Sequence, residues 1–131
     1  MKFFKELKFR FQYYCLSRKF KRNYGHKQAP IVCGKKERAI GKTTMIIKEA
    51  AKRKLPIMVD NQMMKHQVIE MALAMKLNVV CLCPSDNLRG RGYKFFLLDG
   101  GYETFKYCLD NGLVIMNGFL HFPEKERGCH V

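Results

Sequence analysis

The sequence predicts an α/β fold in which a mostly parallel sheet of about five strands is covered by helices on both faces. After residue 30, short runs that are apolar throughout alternate with amphipathic stretches, a pattern typical of parallel strands buried between helices. The 131 residues are 47% hydrophobic and 27% charged, the balance of a folded chain. No apolar run approaches the roughly 20 residues that cross a bilayer, so the sequence predicts no transmembrane segment.

The first predicted element is a helix from Phe3 to about Lys21, a stretch without glycine or proline. On a helical wheel its apolar residues fall within an arc of about 120°. These residues are Phe3, Phe4, Leu7, Phe11, Tyr14 and Cys15. A linker is predicted at 23–30, where Gly25 and Pro30 punctuate a polar stretch.

The positive charge is concentrated in this first segment. The whole chain has a net charge of +14, and residues 1–28 hold nine lysines and arginines against the single Glu6, a net +8. We therefore divide the chain into a basic helical arm with its linker (1–28) and a body (29–131). Such a charge predicts anionic partners, either nucleic acid or an anionic membrane surface.

The body is predicted to alternate strands and helices. Five apolar runs predict strands at 31–34, 56–59, 79–83, 95–98 and 113–116. The helices are predicted at 42–54, 61–77 and 103–111. Asn61 or Asp60 is expected to cap the second of these helices, and Gly112 to end the third.

The six cysteines do not form a pattern typical of disulfides or zinc sites. Cys33, Cys81 and Cys83 lie inside apolar runs, where cysteine behaves as a small hydrophobic residue, and the chain has no C-x-x-C pair. This usage fits a reducing compartment and predicts a cytoplasmic protein.

The most informative motif is Gly41-Lys42-Thr43-Thr44, between the first predicted strand and the first helix of the body. At such a position, backbone N–H groups point at an anion, glycine permits close approach, lysine adds charge and a hydroxyl can coordinate Mg²⁺. The full phosphate-loop pattern G-x-x-x-x-G-K-[ST] requires a first glycine at position 36, where this chain has a lysine. Gly34 stands two residues too early, so the match is partial.

Two segments resemble the ATPase core of phage and viral packaging ATPases, of helicases and of their small relatives. Residues 38–44 resemble the R-x-x-G-K-T form of the Walker A loop, which commonly lacks the first glycine. Residues 88–99, in which a Leu-Arg-Gly turn precedes an apolar strand ending in Asp99, resemble the segment that enters the Walker B strand. The resemblance covers roughly residues 30–118 and implies the three-layer sandwich of P-loop NTPases.

The resemblance also implies a cofactor and a set of binding residues. It implies ATP with Mg²⁺, with Lys42 on the β- and γ-phosphates, Thr43 on the metal and Asp99 holding the metal through water. The nucleotide-binding loop would comprise Arg38, Ala39, Ile40, Gly41, Lys42, Thr43 and Thr44.

The chain departs from this family directly after Asp99. These ATPases usually carry a glutamate there that orients the attacking water, and this chain has Gly100 followed by another glycine. Glu103 is the nearest acid, and Asn117, at the end of the fifth predicted strand, is a candidate polar sensor. Two simpler interpretations stay open: Asp99 as a helix cap and Asn117 as an ordinary turn residue before Gly118.

The sequence favours an ATP-binding P-loop protein, a slow ATPase at most, that acts near nucleic acid in the cytoplasm (of a host cell if the protein is viral). Residues 1–28 together with Arg89 and Arg91 would contact DNA or RNA. Because the body holds only a minimal core, motor-like action would need a homo-oligomer or a larger partner.

Three alternatives remain open. One is a nucleic-acid-binding module with a degenerate phosphate loop that no longer hydrolyses ATP. Another is a protein of the membrane surface, held by the basic N-terminal helix in peripheral contact. In the third, that helix docks its phenylalanine stripe on the protein's own sheet.

Overall fold

The computed structural model describes residues 2–25, 29–33, 41–86 and 92–121. The strands of this part are β1 (Ile31–Cys33), β2 (Ile57–Val59), β3 (Cys81–Leu82), β4 (Phe95–Gly101) and β5 (Val114–His121). The helices are α1 (Lys2–Arg22), α2 (Lys42–Arg53), α3 (Gln62–Ala74) and α4 (Tyr102–Asp110), and a 3-10 turn spans Asn23–Gly25.

The five strands form one sheet in the order β1-β5-β4-β2-β3, and every pair is parallel. The predicted α/β class and the parallel sheet are therefore confirmed. Since all strands run the same way, their carboxyl ends meet at one edge, where ligand sites of open parallel sheets lie. β5 lies between β1 and β4 and so separates the two strands that carry the predicted motifs.

Helices cover both faces of the sheet. On one face, helix side chains that are at most 1% exposed pack against side chains of the sheet. They include Phe20 of α1, Ile46 of α2 and Val68 of α3. On the other face, Cys108 of α4 packs in a second cluster with Phe96 of β4. Burial of these apolar side chains is the main stabilising contribution to the fold.

Strand lengths differ from the sequence-based prediction. β4 continues through Asp99 to Gly101, β5 continues to His121, and β3 is two residues long rather than five. In the sequence, Asn117 before Gly118 is typical of a turn. In the structure Asn117 lies inside β5, where its side-chain amide donates to the Phe20 carbonyl at 2.6 Å and its Oδ1 accepts the Gly118 N–H at 2.8 Å. With both ends of the amide bonded, a buried asparagine is tolerated within the sheet.

α1 has two apolar faces rather than one. On the side that docks, Phe20 stacks on Phe119 of β5 with ring centroids 5.0 Å apart, and Tyr13 and Leu16 pack against the same core. The predicted stripe lies on the other side of the helix and is exposed: Phe3, Phe4, Leu7, Phe11, Tyr14 and Cys15. The alternative in which this stripe docks on the sheet is therefore wrong, and the core runs across the predicted boundary at residue 28.

The cysteines predicted to be buried are buried. Cys33, Cys81 and Cys83 are at most 4% exposed, and the cysteines of the described ranges form no disulfide. Burial, followed by the nearby charge of Asp99, raises the pKa of Cys81 to about 12, which keeps this thiol protonated. Among the described residues, no helix is long and apolar enough to cross a membrane.

Candidate functional site

The predicted phosphate loop ends where α2 begins. Gly41 is the N-cap of α2 with φ of 94°, a left-handed conformation that glycine adopts without strain. Lys42 and Thr43 are the first two residues of α2, and Lys42 is 9% exposed. The next residue, Thr44, is half-buried in the same turn. Arg38, Ala39 and Ile40 of this loop, and Arg89 and Arg91 of the later glycine-rich loop, lie outside the described residues.

The two predicted motifs meet at one contact. The Thr43 hydroxyl donates to Asp99 Oδ2 at 3.0 Å, across 56 positions of sequence. Asp99 is 2% exposed and lies within β4, while Gly101 is the N-cap of α4. The helix-cap interpretation of Asp99 is therefore wrong.

A histidine occupies the other oxygen of the same carboxylate. His121, the last residue of β5, places Nε2 2.7 Å from Asp99 Oδ1. A buried carboxylate is costly unless both oxygens are bonded, and Thr43 and His121 supply those partners. Sequence reasoning missed His121 because the fifth strand was predicted to end at Met116, short of the edge.

A second acid lies at the same edge, directly after β2. Asp60 Oδ1 accepts the Gly101 N–H at 2.9 Å and a short hydrogen bond from the Thr104 hydroxyl. It also lies so close to Gly100 that a Cβ there would stand 2.5 Å from it. The sequence predicts either Asp60 or Asn61 as the cap of α3. Asn61 takes that role by accepting the Met64 N–H at 2.9 Å.

The two predicted catalytic residues do not join this cluster. Glu103 is exposed in the first turn of α4. Asn117 is 1% exposed in the interior of β5, and its amide bonds Phe20 and Asn23 on the α1 side. The prediction that Asn117 ends its strand is wrong, because β5 extends four residues further. The catalytic and sensor roles of both residues stay predictions.

The donors at this edge suit a hard divalent cation. A threonine hydroxyl and an aspartate carboxylate are oxygen ligands of the kind that Mg²⁺ prefers. Within the described ranges, no group of three or more His, Cys, Asp or Glu side chains could hold a metal by itself. An ion at Thr43 and Asp99 would therefore complete its shell with water and phosphate oxygens, as Mg²⁺ commonly does.

Comparisons with known proteins do not assign the site. No family model matches this chain, and neither do the curated proteins or the solved structures. The function is therefore argued from the contacts described above, of which the meeting of Thr43 and Asp99 is the most specific.

Proposed function

We propose that this protein binds ATP with Mg²⁺ at the carboxyl edge of its sheet, as a minimal P-loop NTPase-like domain, and hydrolyses it slowly. The observation that carries the proposal is the 3.0 Å hydrogen bond from Thr43 to Asp99. The family resemblance implies a metal role for both residues, and in the fold their side chains are in direct contact. Both segments lie at the carboxyl edge of the parallel sheet, and this contact holds the Thr43 hydroxyl and the Asp99 carboxylate close enough to serve one metal ion and its bound water.

The start of α2 supports phosphate as the ligand. The N-terminus of a helix carries a partial positive charge and directs N–H groups outward, which stabilises anions and disfavours cations. Lys42 nevertheless lies at the first position of α2 and is largely buried. A triphosphate bound at this end would interact favourably with both the helix terminus and the Lys42 ammonium group.

Three side chains fit the metal that accompanies such a nucleotide. Thr43 would donate its hydroxyl oxygen as a ligand, and Asp99 would orient metal-bound water. His121 keeps the Asp99 carboxylate fixed through its second oxygen. When bound, Mg²⁺ neutralises phosphate charge that the protein could not balance with Lys42 alone.

The environment of Gly100 supports slow hydrolysis. Gly100 offers no side chain to position water, and the nearby Asp60 carboxylate is bonded to Gly101 and Thr104. Both hydrogen bonds fall on Oδ1 and hold this carboxylate against the start of α4. We therefore expect bound ATP to be hydrolysed much more slowly at this site than in a motor ATPase.

The direct test is titration of a fluorescent ATP analogue into the protein with and without Mg²⁺. Lys42→Ala should weaken binding at least about tenfold, because a charge-assisted hydrogen bond contributes about 1.5–3 kcal/mol. Lys52→Ala is the matched control, since Lys52 lies on the same helix and is exposed. Unchanged affinity in a folded Lys42→Ala protein would overturn the proposal.

A second pair of variants separates metal binding from phosphate binding. Thr43→Val and Asp99→Asn should reduce the gain in affinity that Mg²⁺ provides, while binding without Mg²⁺ changes little. Circular dichroism establishes that each variant is folded. Equal Mg²⁺ dependence in both variants and the parent would show that the Thr43 to Asp99 contact is only structural.

A further inference from the structure

The exposed stripe of α1 forms an apolar surface that the described residues leave uncovered. We name it the outer face of α1, formed by five side chains between 47% and 70% exposed: Phe3, Phe4, Leu7, Phe11 and Tyr14. Single exposed apolar residues are ordinary, but a contiguous group of large ones marks an interaction surface.

The body holds this face outward. Phe20, Leu16 and Tyr13 pack on the core from the opposite side of α1. At 3.6 residues per turn, the two sets of side chains therefore point in opposite directions. Asn117 also ties the end of α1 to the sheet through its hydrogen bonds to Phe20 and Asn23. The outer face is thus presented on a docked helix rather than on a loose tail.

Basic side chains surround the apolar ones, and this charge selects among partners. Within α1 the basic residues beside and beyond the outer face are Lys5, Lys8, Arg10, Arg18, Lys19, Lys21 and Arg22. Glu6 is the single acid of the helix. A second copy of the chain fits poorly, because pairing two outer faces would bring two strongly basic helices together.

We propose that the outer face of α1 inserts into the surface of an anionic lipid bilayer, with the helix parallel to the membrane plane. Phenylalanine and leucine side chains would enter the boundary between headgroups and acyl chains, while lysine and arginine stems reach the lipid phosphates. A nucleic-acid duplex satisfies the charges alone, since phosphate contacts leave an apolar stripe exposed to water. Unpaired bases could stack on the aromatic rings but would leave Leu7 uncovered. A bilayer satisfies both properties.

This arrangement would place the proposed ATP site close to the membrane. A Cβ at Gly41 would stand 3.0 Å from the Tyr13 ring, so the docked side of α1 touches the start of α2. The site would then lie about one helix diameter, about 10–12 Å, from the lipid surface. Membrane binding itself does not depend on the proposed nucleotide and can be tested without it.

The experiment is flotation of the full-length protein with vesicles of phosphatidylcholine, with and without about 30% phosphatidylserine. The protein should float with the anionic vesicles and bind neutral ones at least about tenfold more weakly. Phe4→Ser combined with Phe11→Ser should weaken binding at least about tenfold, because each buried phenylalanine contributes strongly to transfer from water. Both residues are exposed, so the variant should fold normally by circular dichroism.

A matched control uses apolar residues of equal exposure elsewhere. Met63 and Leu73 of α3 are 65% and 69% exposed. Met63→Ser combined with Leu73→Ser should leave vesicle binding within about twofold of the parent if apolar area on α1 is what matters. Equal losses in the two double variants would overturn the assignment to the outer face.

Charge substitutions and two competing partners complete the test. Lys8→Gln and Arg10→Gln, which remove the cations that flank the outer face, should each weaken binding to anionic vesicles about fivefold, and added salt should weaken it further. Binding of DNA or RNA oligonucleotides without vesicle binding would overturn the proposal in favour of nucleic acid. A dimer that Phe4→Ser with Phe11→Ser dissociates, without flotation of the parent, would overturn it in favour of self-association.

Discussion

Gly100 and Asp60 share one small space at the carboxyl edge of the sheet. Gly100 is not among the glycines with positive φ, so its backbone accepts a side chain. The obstacle is the Asp60 carboxylate, 2.5 Å from where a Cβ would stand. Moving that carboxylate aside would break its hydrogen bonds to Gly101 and Thr104. Gly100→Ala should therefore destabilise the protein by about 1–3 kcal/mol, as measured by urea unfolding.

Removing the Asp60 carboxylate should abolish the destabilisation caused by Gly100→Ala. In an Asp60→Ala background, Gly100→Ala should change the free energy of unfolding by less than about 0.5 kcal/mol, because the carboxylate is gone. A full penalty in both backgrounds would show that the strain comes from another neighbour. The same crowding means that Gly100→Glu would displace Asp60 rather than simply add the missing acid.

Asp86, just after β3, gives a prediction about pH. Burial tends to raise the pKa of Asp86, but hydrogen bonds from the Cys83 N–H, Gln62 and Lys65 outweigh it and lower the pKa to about 2. Because the pKa of Asp86 is lower in the folded protein than in the unfolded chain, where it is near 4, ionised Asp86 stabilises the fold at pH values above about 4. That contribution is lost as the pH falls toward 2.

The measurement is the free energy of unfolding between about pH 5 and pH 2.5 for the parent and Asp86→Asn. The stability advantage of the parent should shrink as the pH falls, with a slope of at most about 1.4 kcal/mol per pH unit. Lys65→Gln should remove a smaller part of this pH-dependent stability than Asp86→Asn does, because the Cys83 N–H and Gln62 still donate to Asp86. A constant difference across this range would contradict the lowered pKa.

At the residue scale, local patterns predicted the motifs but not their surroundings. Thr43 and Asp99 were found because each sits in a recognisable short segment. His121 and Asp60 have no such segment, and their proximity to Asp99 and Gly100 depends on which strands are neighbours. An acid directly after a buried strand was the available signal for Asp60, since carboxyl ends of parallel strands share an edge.

At the scale of elements, the two faces of α1 should respond differently to the same substitution. Phe20 is 1% exposed and stacked on Phe119, so Phe20→Ala should cost about 3–5 kcal/mol of stability. Phe11 is 65% exposed, and Phe11→Ala should change stability by less than about 0.5 kcal/mol. Chemical denaturation of both variants measures the difference.

The reverse order of these two effects would mean that α1 docks by its other face. Deletion of the whole helix is a poor substitute for this test, because removing residues 1–24 would expose the core that Phe20 covers. A chain that lacks only residues 2–11 should keep its fold, because the side chains of residues 3–11 are all exposed.

The order and type of the elements were predictable because apolar runs on β2, β4 and β5 are continuous. Their ends were not, because Asp99-Gly100-Gly101 and Asn117-Gly118 carry turn-type residues that tertiary contacts hold in strands. The docking face of α1 was equally hidden, since both faces are apolar and the contact that decides between them, Phe119, lies far along the chain.

At the scale of the whole molecule, we expect ATP turnover to be slow. A positioned acid beside the attacking water is usually worth about 10²–10⁴ in rate. The described acids nearest to Gly100 are Asp60, which is hydrogen-bonded to Gly101 and Thr104, and Glu103, which is exposed. Single-turnover hydrolysis should therefore fall far below one per second when the protein is monomeric.

The controls for turnover are concentration and one substitution. A rate that rises with protein concentration would indicate that a second subunit supplies the acid. Glu103→Gln lowers the rate only if Glu103 contributes. A rate near one per second that survives Glu103→Gln, in a preparation without oligomers, contradicts slow turnover.

The position of β5 has a consequence for how the protein folds. Among the described strands β1 pairs with β5 alone, at residues 31–33 and 119–121. Within that part of the chain, the strand that leads into the phosphate loop therefore has no neighbour in the sheet until β5 is in place. Contacts between such distant residues form late, because closing a long loop costs entropy before the contact returns any stability. While Val114–His121 is still inside the ribosome, the emerged part of the chain would already contain Lys42, Thr43 and Asp99. It would still lack the assembled site. Competence to bind would then arise in one step, when the last of the described strands enters the sheet.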